Sequence, residues 1–313
     1  MSDAPLVPNT TPQASELVAL FLSGRTEATL RAYRRDLEDF RAWVGSATLA
    51  DAAQTLLTRG QGPANALTLA YRANLQERKL QSATINRRIA ALRSLVKLAR
   101  LMGHVPWSLD VGGVPHESYR DTRGPGRDGV RQLFAAIEGN TPAALRDNAL
   151  LHLLYDLGLR RGEAVALDRA DVEADCASVW VRGKRRGDKE RLTLPKATRD
   201  ALSAYLALRG NDDGPLFLSF DRAKKGDGRL SAGHVYKIVR ALGDKVGVRA
   251  RPHGLRHTAI TEACKAAQNA GIGLEEVLDF SRHKSIQVLM VYRDRERNVQ
   301  GTLAALIADD TVP

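Results

Sequence analysis

Toward its C-terminal end the sequence runs Arg251-Pro252-His253-Gly254-Leu255-Arg256-His257, with His283 and Tyr292 further on. A helix starting at Pro252, where a missing N–H costs nothing, places His253, Arg256 and His257 at i, i+3 and i+4 on one face. That face is cationic and rich in hydrogen-bond donors. A tyrosine close by in sequence adds a nucleophile that can carry a covalent load without a cofactor. The chemistry open to this combination is phosphoryl transfer to tyrosine. Two histidines at i and i+4 also have the spacing of a zinc pair, but Arg256 between them repels a divalent cation. No glutamate takes the general-base place of an H-E-x-x-H motif either. Neither a metal nor a cofactor is expected.

Two further pieces stand upstream. In Gly158-Leu159-Arg160-Arg161-Gly162-Glu163 an arginine stands two residues after the glycine that closes an apolar helix over 145–157, and Glu163 is spaced to brace a basic neighbour. Alone, an Arg and a Glu three apart form an ordinary surface pair. The second piece is a basic turn, Gly183 to Arg191, which holds both Lys184 and Lys189. Val179 and Val181 before it, and Leu192 and Leu194 after it, alternate with outward residues as in a hairpin. By itself this turn reads as a solvated loop.

The elements that must position these groups are mainly helices. Helical patterns cover about 196–208, 231–246, 252–267 and 274–280, and Ser285 can cap the segment that carries Tyr292. In the first third, Leu30, Tyr33, Leu37, Phe40 and Val44 form an amphipathic stripe. A helix over Thr84–Met102 buries Ile85, Ile89, Leu92, Val96 and Ala99. From Arg72 to Arg100 eight basic residues face the single acid Glu77. Surfaces kept soluble usually mix signs, so Arg87, Arg88, Arg93, Lys97 and Arg100 are read as a phosphate-tracking, DNA-binding face. Five glycines and two prolines over 111–129 suggest a linker. The expected layout is a loose tail over 1–14, a helical DNA-binding domain over 15–110, the linker at 111–129, and a catalytic domain over 130–313 with one small sheet.

Composition bounds the partner. The chain has 313 residues, a net charge of +11 and a pI near 9.9, which favours a polyanion, with nucleic acid as the default and an acidic membrane as the rival. No apolar run approaches the roughly 20 residues that span a bilayer, and the opening residues lack the pattern of a signal peptide. A cytoplasmic, nucleoid-associated protein is expected, with no membrane partner. Cys176 and Cys264 form no C-x-x-C pair and read as small core residues.

Taken in order, Gly-Leu-Arg160 with Glu163, Lys184 in a hairpin turn, His253-x-x-Arg256-His257, His283, and Tyr292 nine residues later resemble the tyrosine recombinase (phage integrase) family in its Xer-like form. The resemblance covers the second domain, and the basic helical first domain looks like the family's core-binding domain. It implies a mainly α fold with a small β-sheet: a two-domain DNA clamp with a mixed α/β catalytic domain. It also implies an enzyme that cuts and rejoins double-stranded DNA at a specific site through a 3′-phosphotyrosyl intermediate, as a tetramer on two duplexes, with accessory DNA-bending proteins as further partners. On that resemblance Tyr292 is the nucleophile, Arg160 and Arg256 hold the non-bridging oxygens, His253 and His283 donate hydrogen bonds to those oxygens or to the tyrosine, and His253 takes the phenol proton. Lys184 is the general acid, with Lys189 its rival in a turn longer than the family's compact Gly-Lys-Gly. Glu163 braces the basic groups, and His257 packs and orients its helix. Arg282 stands where the family usually has a small residue or glycine, and adds charge beside the pocket. Relaxation of DNA by type IB topoisomerase chemistry, or site-specific binding by an unreactive relative, are the alternatives.

Overall fold

The structure is a computed structural model that describes residues 14–24, 27–115, 124–183, 188–220, 226–283, 285–289, 301, 304–305 and 307–308. The chain divides into two compact units, Met1–Ser118 and Tyr119–Pro313.

The first unit holds α1 (Ala14–Phe21), α2 (Glu27–Trp43), α3 (Leu49–Leu57), α4 (Gln61–Glu77) and α5 (Ser82–Leu101). Two helices bury the stripes their spacing dictates, Leu37 and Phe40 from α2 and Ile85, Ile89, Leu92 and Val96 from α5, while α4 adds Tyr71 and Leu75. At α3, Thr48 accepts the Asp51 N–H while the Asp51 carboxylate accepts the Thr48 N–H, a reciprocal cap that satisfies two otherwise orphaned donors.

The acids missing from the basic stretch come from α2. Asp36, with its side chain fully buried, accepts two bonds from Arg87 at 2.8 and 2.9 Å. Asp39 lies 2.6 Å from Arg88 and accepts two bonds from Arg78 and one from the Tyr71 hydroxyl. Of the residues grouped by sequence as phosphate-tracking, Arg88, whose side chain is 11 % exposed, is committed to an internal pair, whereas Arg87 pairs with Asp36 while 42 % of its side chain stays in solvent. Arg93, Lys97 and Arg100 remain exposed along α5, with no ion pair among the described residues.

The stretch expected to be a linker is docked at its start. Val111 is buried in the first core, Arg72 donates to the Gly112 carbonyl at 2.9 Å, and Asn86 makes a two-way bond with the Val114 backbone at 2.7 and 3.0 Å. At its other end, α6 (Gly126–Ala135) begins inside it. Gly124 passes so close to α11 (Pro252–Asn269) that a Cβ there would overlap the Gly254 carbonyl oxygen.

After α6, the second unit continues with α7 (Pro142–Tyr155), α8 (Arg161–Val165), β1 (Ser178–Arg182), β2 (Lys189–Thr193), α9 (Lys196–Arg209), α10 (Ala232–Lys245), α11, α12 (Leu274–Ser281) and α13 (Ile286–Leu289). Thr141 caps α7 and Pro142 opens it; Gly158, at φ +55, takes the left-handed turn just after it. The strands pair antiparallel with Val179 opposite Leu192 and Val181 opposite Glu190. Leu150, Leu153 and Leu154 of α7, Val179 and Val181 of β1, Leu202 and Tyr205 of α9, Val235 of α10 and Leu255 of α11 share one core. Ile260, Val277 and Leu289 form a smaller one that packs α12 and α13 on α11. Both cysteines are free thiols; Cys176 is a buried core residue, whereas Cys264 is only half-buried.

Candidate active site

The site is built on the first two turns of α11. Pro252 is its first helical residue, so the unpaired N–H groups and positive dipole end of an 18-residue helix open toward His253. Arg256 is 1 % exposed, and its guanidinium spans two elements: one nitrogen donates to the Gly158 carbonyl after α7, the other to the Ser281 carbonyl at the end of α12. The second nitrogen also lies 3.5 Å from His283 Nε2. One buried fork thus joins the starts of two site segments, Gly158 to Glu163 and Ser281 to His283. A lysine ammonium lacks the width to do this.

Arg160 leads into α8 and is held by Glu163, which accepts the Arg160 backbone N–H at 2.9 Å and its guanidinium at 2.7 Å. The carboxylate is buried while the Arg160 side chain keeps a third of its surface in solvent, leaving its outer edge open to an incoming anion. Burial pushes the Glu163 carboxyl up, but the Arg160 bonds and the charges of Arg282 and Arg160 outweigh it and hold the group below its ordinary range.

Arg282 does not add charge at the pocket rim. It closes α12 in the left-handed conformation, φ +52, and turns inward to bond Glu163 at 3.0 Å and the Leu157 and Gly158 carbonyls at 3.1 and 3.3 Å.

Both histidines are kept neutral. Burial, reinforced by Arg256, Arg160, Arg282 and His253, pulls His283 down to about 4. His253 reaches solvent, yet lost solvation on its protein side and the charges of Arg256 and Arg160 lower it too. At neutral pH each imidazole therefore has one N–H to donate and one lone pair to accept. His257 is half-buried, 3.5 Å from the Thr261 hydroxyl one turn on. Among the described residues no group of three His, Cys, Asp or Glu side chains is arranged to hold a metal ion.

Lys189 is engaged elsewhere: its ammonium pairs with the buried carboxylate of Asp171. Lys184 and Tyr292 lie outside the described residues.

The phage integrase family model matches residues 127–298, and the family's N-terminal SAM-like domain matches 19–103. A tyrosine recombinase of Synechococcus elongatus is 37 % identical over 285 residues, covering 88 % of each chain. The chain belongs to the phage integrase family. Two solved structures share its fold: the Tn1549 transposon integrase in complex with circular intermediate DNA, with TM-score 0.68, 16 % identity and coverage of 94 % and 99 % of the two chains, and a lambda integrase tetramer bound to a Holliday junction, with TM-score 0.66, 17 % identity and coverage of 91 % and 78 %.

The phage integrase match encloses Arg160, Glu163, Arg256, His253 and His283, which the structure brings to one place. Sequence reasoning missed the backbone acceptors at Gly158 and Ser281 and the inward course of Arg282. No local signal announces them, because a carbonyl carries no residue identity and a left-handed arginine looks like any other arginine in sequence.

Proposed function

We propose that this member of the phage integrase family is a site-specific DNA recombinase that cleaves and rejoins DNA strands through a phosphotyrosyl intermediate at Tyr292. The supporting observation is the convergence of Arg160, Arg256, His253 and His283 around the start of α11, with both histidines neutral. A phosphodiester carries two non-bridging oxygens and one negative charge, and two guanidinium groups supply a cation for that charge and for the second one that develops in the transition state.

In the proposed reaction the Tyr292 phenol oxygen bonds to phosphorus as the bond to the 5′-oxygen breaks. The phenol proton passes to neutral His253, and the departing 5′-oxygen takes a proton from Lys184. His283 donates its N–H to a phosphate oxygen. Negative charge building on those oxygens meets Arg160, Arg256 and the helix dipole, all in place before reaction. The bond energy is retained in the phosphotyrosine, so a free 5′-hydroxyl can reverse the step and rejoin the strand. Exchange between two sites calls for a tetramer of this chain on two duplexes, and the lambda integrase tetramer of like fold supports that arrangement. A DNA substrate supports a cytoplasmic, nucleoid-associated location.

The test is covalent trapping on a nicked duplex carrying the protein's own site, recovered by sequencing DNA that stays bound after denaturation. Wild-type protein is expected to give a denaturation-resistant adduct and Tyr292→Phe none. An adduct formed equally by Tyr292→Phe would remove Tyr292 from the role.

A further inference from the structure

Arg282 ends α12 at φ +52, a conformation that costs a non-glycine residue about 1 kcal/mol or more. Its side chain is 3 % exposed, and burying a guanidinium is costly unless it is paired and hydrogen-bonded. Two unfavourable choices at one residue need a common return, and the contacts identify it. Arg282 donates to Glu163 Oε2 at 3.0 Å, the same carboxylate whose Oε1 holds the Arg160 guanidinium at 2.7 Å. It also donates to the Gly158 carbonyl, the oxygen that accepts from Arg256. Arg282 thus contacts a partner of the partly exposed Arg160 and a partner of the buried Arg256 without itself reaching solvent.

We propose that Arg282 is a positioning residue whose buried guanidinium fixes the Glu163 carboxylate and the Gly158 carbonyl, and through them sets the spacing of Arg160 and Arg256. This rests on the reading of the site as a phosphodiester-binding one. Without Arg282, Glu163 Oε2 would keep only the Arg160 backbone N–H and Oε1 only the Arg160 guanidinium, which is free to swing into solvent, and the Gly158 peptide would answer to Arg256 alone. Arg160 would then have to be ordered by the substrate, and ordering a loose side chain in the reacting complex lowers the rate.

The test uses the full chain with Arg282→Gly, which suits the left-handed backbone, and Arg282→Lys. Arg282→Gly is expected to fold, to bind site DNA within about threefold of wild type, and to form covalent adduct on nicked DNA about 100-fold more slowly. Guanidinium ion at about 20 mM should restore at least tenfold of that loss by filling the vacated space, while Arg282→Lys should stay slow. A wild-type adduct rate in Arg282→Gly, or a loss that guanidinium leaves unchanged, overturns the proposal. If wild-type protein itself forms no adduct, the recombinase reading fails. The brace is then judged on DNA-free protein, by urea unfolding of Arg282→Gly, Glu163→Gln and the double variant. Coupling requires the double variant to lose less than the sum of the single losses; additive losses sink the brace.

Discussion

Lys189 and Asp171, 18 residues apart, form an ion pair that ties the start of β2 to the turn before β1. The Asp171 side chain is 5 % exposed; its other oxygen accepts the Asp168 N–H at 2.9 Å, and Lys189 supplies the opposite charge, so the lysine is a structural tether for the hairpin.

Separating the two lysines follows from that pairing. Lys189→Ala is expected to lower stability by about 1 kcal/mol, read by urea unfolding, because it strands a buried carboxylate. Lys184→Ala is expected to leave stability unchanged and abolish cleavage of ordinary DNA. Only Lys184→Ala should recover on DNA with a 5′-bridging sulfur, whose departure needs no proton. Sulfur rescue of Lys189→Ala instead would move the acid role to Lys189.

Arg256→Lys keeps the charge but cannot bridge the Gly158 and Ser281 carbonyls. Adduct formation should fall by about 100-fold or more, as for loss of a preorganised donor. The melting temperature should fall too, since one buried carbonyl loses its partner. A variant with wild-type adduct kinetics would contradict the site as drawn.

The cations of α5 should divide into two groups. Arg93→Ala, Lys97→Ala and Arg100→Ala are each expected to reduce the slope of log affinity against log salt by about 0.9, without changing stability. Arg88→Ala should leave the slope alone and cost on the order of 2 kcal/mol of folding stability, because Asp36 and Asp39 then lose a shared counter-charge. Equal slope changes in all four variants would show that the internal pairs do not decide which charges meet DNA.

His283 gives a pH dependence with a definite sign. Its imidazole takes a proton near 4 in the folded chain, against about 6.5 when unfolded. Between those values the unfolded state binds more protons, so stability is unaffected above about 6.5 and declines as pH falls toward 4. Denaturant titrations at pH 7 and 4.5 measure the loss, and His283→Asn should reduce it. An unreduced loss in that variant would assign the effect to other groups.

Much of this was legible in the sequence because it was local. The Pro252 helix start and the i, i+3, i+4 spacing placed His253, Arg256 and His257 on one turn, and the valine alternation placed the hairpin. The 17-residue helix α4 left no such trace, because the residues it buries are Ala64, Thr68, Tyr71 and Leu75, of which two are small or polar. Pairings across the chain were equally silent: Asp36 reaches Arg87 over 51 positions, so a stretch that looked short of acids was already supplied with them. The docking of Val111 and Val114 escaped notice because their glycine-rich surroundings carry no helical or strand period.

The exposed face of α5 also has a length. From Arg93 to Arg100 is seven residues, about 10 Å of helix at 1.5 Å per residue. One strand of B-form DNA presents a phosphate every 3.4 Å of its axis, so the same distance holds about three of them. On the proposed DNA-binding reading, Arg93, Lys97 and Arg100 would span about three base-pair steps of the duplex axis. A face of that kind would hold the backbone and carry no information about base sequence.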